Sequence, residues 1–170
     1  SMKSGGLTQS HLRFGDTPIR STYLVSSADF VACHAPTYVK KYDLTEDLKD
    51  GGTFLLNCSW SDSELEKELP AFVKNQIAQK HLKFYTIDGL KIAKESGSAK
   101  STNMVMQAAF FKLANIIPYE EAEKYMKAAV LKTYGKKGEK VVNANNAAIE
   151  NAIKGLHEVK VPAEWATTDK

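Results

Sequence analysis

A run of thirteen residues near the start, Lys3-Ser4-Gly5-Gly6-Leu7-Thr8-Gln9-Ser10-His11-Leu12-Arg13-Phe14-Gly15, gathers residue types that can hold an anion. Adjacent glycines let a backbone come close to a ligand, and hydroxyls with free N–H groups can line a phosphate cradle. Lys3 and Arg13 add charge-assisted hydrogen bonds to such an anion. On an extended backbone Leu7, Gln9, His11 and Arg13 share one face, with Thr8, Ser10, Leu12 and Phe14 on the other. The run fits neither G-x-x-x-x-G-K-S/T nor G-x-G-x-x-G. Two readings stand side by side: an anion-binding loop, or a polar edge strand that follows a flexible turn.

The remaining chemistry-bearing residues are scattered. His11, on an alternating strand, reads as a ligand contact or as a hydrogen-bonded structural residue. Cys33 and His34 are neighbours on a strand-like run, so they point to opposite faces and cannot act directly as nucleophile and base. His81 and His157 stand among polar residues and read as solvated. Asn57 and Cys58 finish an apolar run, the place where open α/β sheets hold ligands, or where a strand end simply packs. Asn103 follows Ser98-Ala99-Lys100-Ser101-Thr102 and either faces a cleft or supports a helix cap made by Ser101 or Thr102. The loop Gly135-Lys136-Lys137-Gly138 could hold phosphate, although cations after a helix C-terminus are common. No carboxylate pair, metal-ligand set or triad order emerges. Only two cysteines exist, without a C-x-x-C, so this chain alone supplies neither a cluster nor a structural zinc site. They read as buried free thiols in a reducing compartment.

These residues sit on 170 positions, enough for one domain with a substantial core. The net charge of +3 is too slight, and the basic residues too dispersed, for a nucleic-acid binder. No apolar run approaches the ~20 residues of a membrane span, and the polar start is not that of a secretion signal. The expectation is a soluble, cytoplasmic chain. Ser1-Met2 resembles an expression remnant, which makes Lys3 the first natural residue.

Patterning supplies the elements. Ile19–Val25 and Asp29–His34 read as strands, Thr37 as the cap of a short helix through Tyr42, and Thr53–Cys58, apolar on both faces, as a central parallel strand. Ser61-x-x-Glu64 is a capping box for a helix bearing Leu65 and Leu69; Pro70 suits the first turn of the next helix, with Phe72, Val73 and Ile77 inward. Lys83–Ile87 is a strand, and Asp88 caps a helix ending near Gly97. Thr102–Ile117 forms a buried helix stopped by Pro118. Ala122 to Thr133 forms the next, up to Gly135, and Val141 to Leu156 the last, its stripe interrupted by Asn145. The tail Val159–Lys170 reads as extended. Alternating strands and helices with short connections predict an α/β fold with a largely parallel sheet flanked by helices. Nothing of strand–turn–helix form precedes Lys3, as if the opening β–α unit were missing.

The run Lys3–Gly15, followed by Pro18-Ile19-Arg20-Ser21-Thr22-Tyr23-Leu24-Val25, closely resembles the pyruvate:ferredoxin (flavodoxin) oxidoreductase family. The likeness continues through Asp29–His34, Gly51–Cys58, Gln107–Pro118 and Tyr134–Val142, and covers Lys3 to about Ala166. It points to the gamma domain shared by 2-oxoacid:acceptor oxidoreductases, a Rossmann-like module, here as a single domain over residues 1–170. The complete family enzyme decarboxylates pyruvate on thiamine diphosphate with Mg, passes electrons through [4Fe-4S] clusters to ferredoxin or flavodoxin, and forms acetyl-CoA. The resemblance implies that thiamine and clusters belong to other domains, and that this one helps hold coenzyme A and packs beside them. The implied coenzyme A contacts are Lys3, Ser4, Gly5, Gly6, Thr8, Ser10, His11 and Arg13. The family's upstream glycine-rich turn is absent from this sequence. A purely structural module and a free-standing nucleotide-binding protein are the rival readings.

Overall fold

A computed structural model describes residues 24–26, 29–41, 43–46, 48–115 and 117–167. They fall into two compact units: the described residues up to Ile87 together with 157–167, and residues 88–156.

The first unit is built on a five-stranded sheet: β1 (Leu24–Ser26), β2 (Phe30–Cys33), β3 (Thr53–Asn57), β4 (Lys83–Ile87) and β5 (His157–Glu158), in that spatial order. β2, β3 and β4 are parallel, while both edges run antiparallel. The expected central parallel strand is therefore present, with Lys83–Ile87 directly beside it. Register places Val31, Phe54 and Phe84 in one row across the three parallel strands, and Cys33, Leu56 and Thr86 in the next. Phe54 and Phe84 stack with ring centroids 5.4 Å apart. Phe54, Leu55 and Leu56 are all fully buried, so β3 is covered on both faces, as its unbroken apolar run requires.

Helices α1 (Thr37–Lys41), α2 (Asp62–Glu68) and α3 (Ala71–Gln79) connect the parallel strands. Val39, Leu65, Leu69, Val73 and Ile77 from these helices join Val31, Phe54, Leu56 and Phe84 in one core. Crossovers of one hand stepping one way across a sheet put successive helices on the same face, and these three share one core with it. Ser61 caps α2 by the reciprocal box: its hydroxyl accepts from the Glu64 N–H, and Glu64 accepts from the Ser61 N–H at 2.8 Å. Pro70 stands one residue earlier than expected, at the N-cap of α3 rather than inside its first turn. Lys80 donates to the carbonyls of Thr45, Glu46 and Leu48 at 2.7–2.9 Å and so fastens the loop that leads into β3.

The tail departs from the extended reading. Val159 donates to Phe84 O at 2.8 Å, and a 3-10 turn over Ala163–Thr167 buries Trp165. The indole N–H donates to Glu66 at 2.8 Å, and its ring lies against Phe84. A single buried Trp carries no periodicity, so pattern reading could not place it.

The second unit is helical. α4 (Gly89–Ser96) is capped by Asp88 and stopped at Gly97, whose φ of +131° favours glycine. A 3-10 turn over Ala99–Ser101 leads into α5 (Thr102–Ala114), followed by α6 (Tyr119–Tyr134), a second 3-10 turn over Gly135–Lys137 and α7 (Glu139–Gly155). α7 packs on α4, α5 and α6. α5 ends three residues before the expected Ile117, because Asn115 adopts the left-handed conformation and closes the helix there. Asn145 is the buried polar interruption in the apolar stripe of α7, and its amide donates to Val141 O at 2.9 Å, within its own helix.

Candidate functional site

The anion-binding candidates Lys3, Ser4, Gly5, Gly6, Thr8, Ser10, His11 and Arg13 lie outside the described residues, as does most of Ile19–Val25. Among the described residues, the sheet unit gathers its candidates at the carboxyl ends of β2 and β3. Asn57 donates to His34 O at 3.0 Å, which ties the two strand ends together. The N–H of Cys58 donates to Ile87 O at 3.0 Å and extends the parallel ladder past β3. Cys33 belongs to the core of the sheet unit, and His34, the next residue, is buried as well at 6% exposure.

Both cysteines are free and buried. Burial pushes the Cys33 thiol up to about 12; its hydrogen bond to Ala35 O pulls the other way, and nearby Cys58 adds to the rise. A thiol held protonated at neutral pH is neither a nucleophile nor a ready metal ligand. Two buried thiols are too few for a [4Fe-4S] cluster, which takes four thiolates. Among the described residues no three His, Cys, Asp or Glu side chains converge to hold a metal ion. The strand ends are thus braced by internal bonds, and Asn57 has a definite structural task.

The outlying histidines are at the surface. His81 is exposed, and His157 meets Asp62 at 3.0 Å with both side chains more than half exposed. Thr102 donates to Ala99 O at 2.8 Å, whereas Ser101, at the N-cap position of α5, makes no capping bond. Asn103 is half-buried in the first turn of α5. The helical unit also brings Lys137, singled out in the glycine-flanked loop, to the same cavity as Lys100 and Lys140, which the sequence reading did not connect. One signal was available: Lys140 occupies the first turn of a helix, where a cation opposes the dipole.

Residues 1–155 match the family described as pyruvate ferredoxin/flavodoxin oxidoreductase. The chain belongs to that family. Among similar proteins of the pyruvate ferredoxin/flavodoxin oxidoreductase group, the pyruvate:ferredoxin oxidoreductase of Moorella thermoacetica is 55% identical over 166 residues, 98% of this chain and 14% of that protein. The pyruvate-flavodoxin oxidoreductase of Klebsiella pneumoniae is 54% identical over 170 residues, again 14% of its length. The mitochondrial pyruvate dehydrogenase (NADP+) of Euglena gracilis is 46% identical over 168 residues, 9% of its length. The chain therefore spans about one seventh of the first two relatives. The α/β fold with a parallel sheet centre agrees with a Rossmann-like module of this family.

Proposed function

We propose that this chain is the gamma domain of an enzyme that oxidatively decarboxylates pyruvate and transfers the acetyl group to coenzyme A, with ferredoxin or flavodoxin accepting the electrons. The observation carrying this reading is the 55% identity to pyruvate:ferredoxin oxidoreductase across 98% of the chain. Thiamine diphosphate, Mg and [4Fe-4S] clusters then belong to other domains of the same enzyme, in the cytoplasm. The cysteine count supports that division of labour, since two thiols are too few to hold a four-thiolate cluster alone.

Within this enzyme the segment from Lys3 to Arg13 helps hold coenzyme A. Lys3 and Arg13 oppose phosphate charge, Gly5 and Gly6 allow close backbone approach, and Ser4, Thr8, Ser10 and His11 donate hydrogen bonds. The rest of the domain packs against the thiamine-bearing domains. A purely structural role is the second reading, favoured by the internal bonding of the strand ends, where Asn57 is committed to His34 O.

Kinetics of the full-length enzyme separate the two. Losing a charge-assisted hydrogen bond costs ~1.5–3 kcal/mol, roughly a tenfold to hundredfold weakening. Arg13→Ala should raise KM for coenzyme A by that factor and leave KM for pyruvate nearly unchanged. If both constants rise together, or neither moves in a folded variant, the segment is structural.

A further inference from the structure

We infer that the helical unit carries a site for a small organic phosphate, in the cavity of about 320 Å³ between the end of α4, the two 3-10 turns and the start of α7. Three lysines line it, Lys100, Lys137 and Lys140, with no carboxylate among the lining residues. None of the three makes an ion pair with a described residue. Three unneutralised cations around one concavity form a field that favours a multiply charged anion.

Ser101 is the independent observation. It lines the same cavity and is 1% exposed, yet its hydroxyl has no hydrogen-bond partner among the described residues. A buried hydroxyl is normally satisfied, and this one is not used as a helix cap. Lys140 adds a second anomaly. In the first turn of α7, whose N-cap Gly138 offers no side-chain bond, a cation meets the positive end of the helix dipole. A bound anion resolves both: it accepts from Ser101 and makes the positive helix end and Lys140 work together.

The cavity also fixes the kind of molecule. Val141, Ala144 and the Tyr134 side chain supply apolar and aromatic wall, and the volume far exceeds that of a bare phosphate ion. A phosphate monoester on a compact flat body, of the size of a nucleoside monophosphate, fits both the charge and the wall. Such a group is found free or as the phosphorylated end of a larger cofactor. The inference stands whether or not the Lys3–Arg13 segment touches coenzyme A.

Calorimetric titration of the 170-residue chain at low salt, with AMP as the probe, tests it. AMP should bind saturably, with adenosine and inorganic phosphate each weaker by at least ~tenfold. Lys140→Gln should weaken AMP binding by about tenfold or more, while Lys132→Gln, on an exposed position of α6 outside the cavity, leaves it unchanged. Ser101→Ala should weaken AMP binding several-fold without lowering Tm, because that hydroxyl bonds nothing within the described protein. Coenzyme A added to the AMP-saturated chain distinguishes the sources. Displacement assigns the cavity to the cofactor's phosphorylated end, and no displacement assigns it to a free organic phosphate. Absence of saturable AMP binding overturns the inference, as does equal binding of adenosine or an equal loss in Lys132→Gln. Those results would make the lysines a solvated cationic face.

Discussion

Burial of the Cys33 thiol decides what the strand ends can do. The thiol is pushed from 9.0 to about 12, chiefly because burial penalises the thiolate. The folded value lies above the unfolded one, so the stabilising contribution is whole below pH 9 and disappears as pH climbs from 9 towards 12. Denaturant midpoints should therefore be flat between neutral pH and about pH 9 and fall above it. Tyr119, raised from 10.0 to about 12 chiefly by burial, adds a later loss in the helical unit. Cys33→Ala should make the fall shallower, beginning it nearer pH 10; an unchanged profile would mean that the thiol ionises without cost. The same burial explains why Cys33 and Cys58 could be read from sequence as inert: each ends an apolar run in which a thiol behaves as a small hydrophobe.

Elements with a local signal were legible, and those defined by distant partners were not. The Ser61/Glu64 box, the Asp88 cap and the Gly97 stop each depend on residues within a few positions, and the structure shows all three. Thr53–Asn57 announces a doubly covered strand through its apolar run. By contrast β5 is two residues long and is defined by pairing to β4, far too short for alternation to register. The Trp165 turn depends on Phe84 and Glu66, remote in sequence, and the Lys80 clamp on carbonyls that no side-chain pattern reveals. Asn115 shows a competition between signals: Pro118 is the louder stop, but Asn tolerates the left-handed conformation and ends α5 first. The capping box permits a quantitative test at this scale. Ser61→Ala removes one acceptor at an exposed helix start, so chemical denaturation should show a loss of about 1 kcal/mol. A change below a few tenths of a kcal/mol would mean that packing of Leu65 and Leu69, not the cap, fixes the start of α2.

Across the whole molecule, the sheet unit holds the internally bonded strand ends and the helical unit the cationic cavity, while the family likeness extends over almost the full chain. The residue types of Lys3–Arg13 suggest an anion site, and the proposal that the anion is coenzyme A rests on their likeness to the family. The cavity was hidden because Lys100, Ser101, Lys137 and Lys140 come from segments separated by more than thirty residues. Equilibrium binding tests the proposed hold of the Lys3–Arg13 segment on coenzyme A without the complication of turnover. Coenzyme A should be titrated into the full-length enzyme and into the Lys3→Ala/Arg13→Ala double variant. Removing two charge-assisted bonds should raise Kd by about a hundredfold or more, with pyruvate affinity unchanged. An unaltered Kd for coenzyme A in a folded double variant would contradict the account.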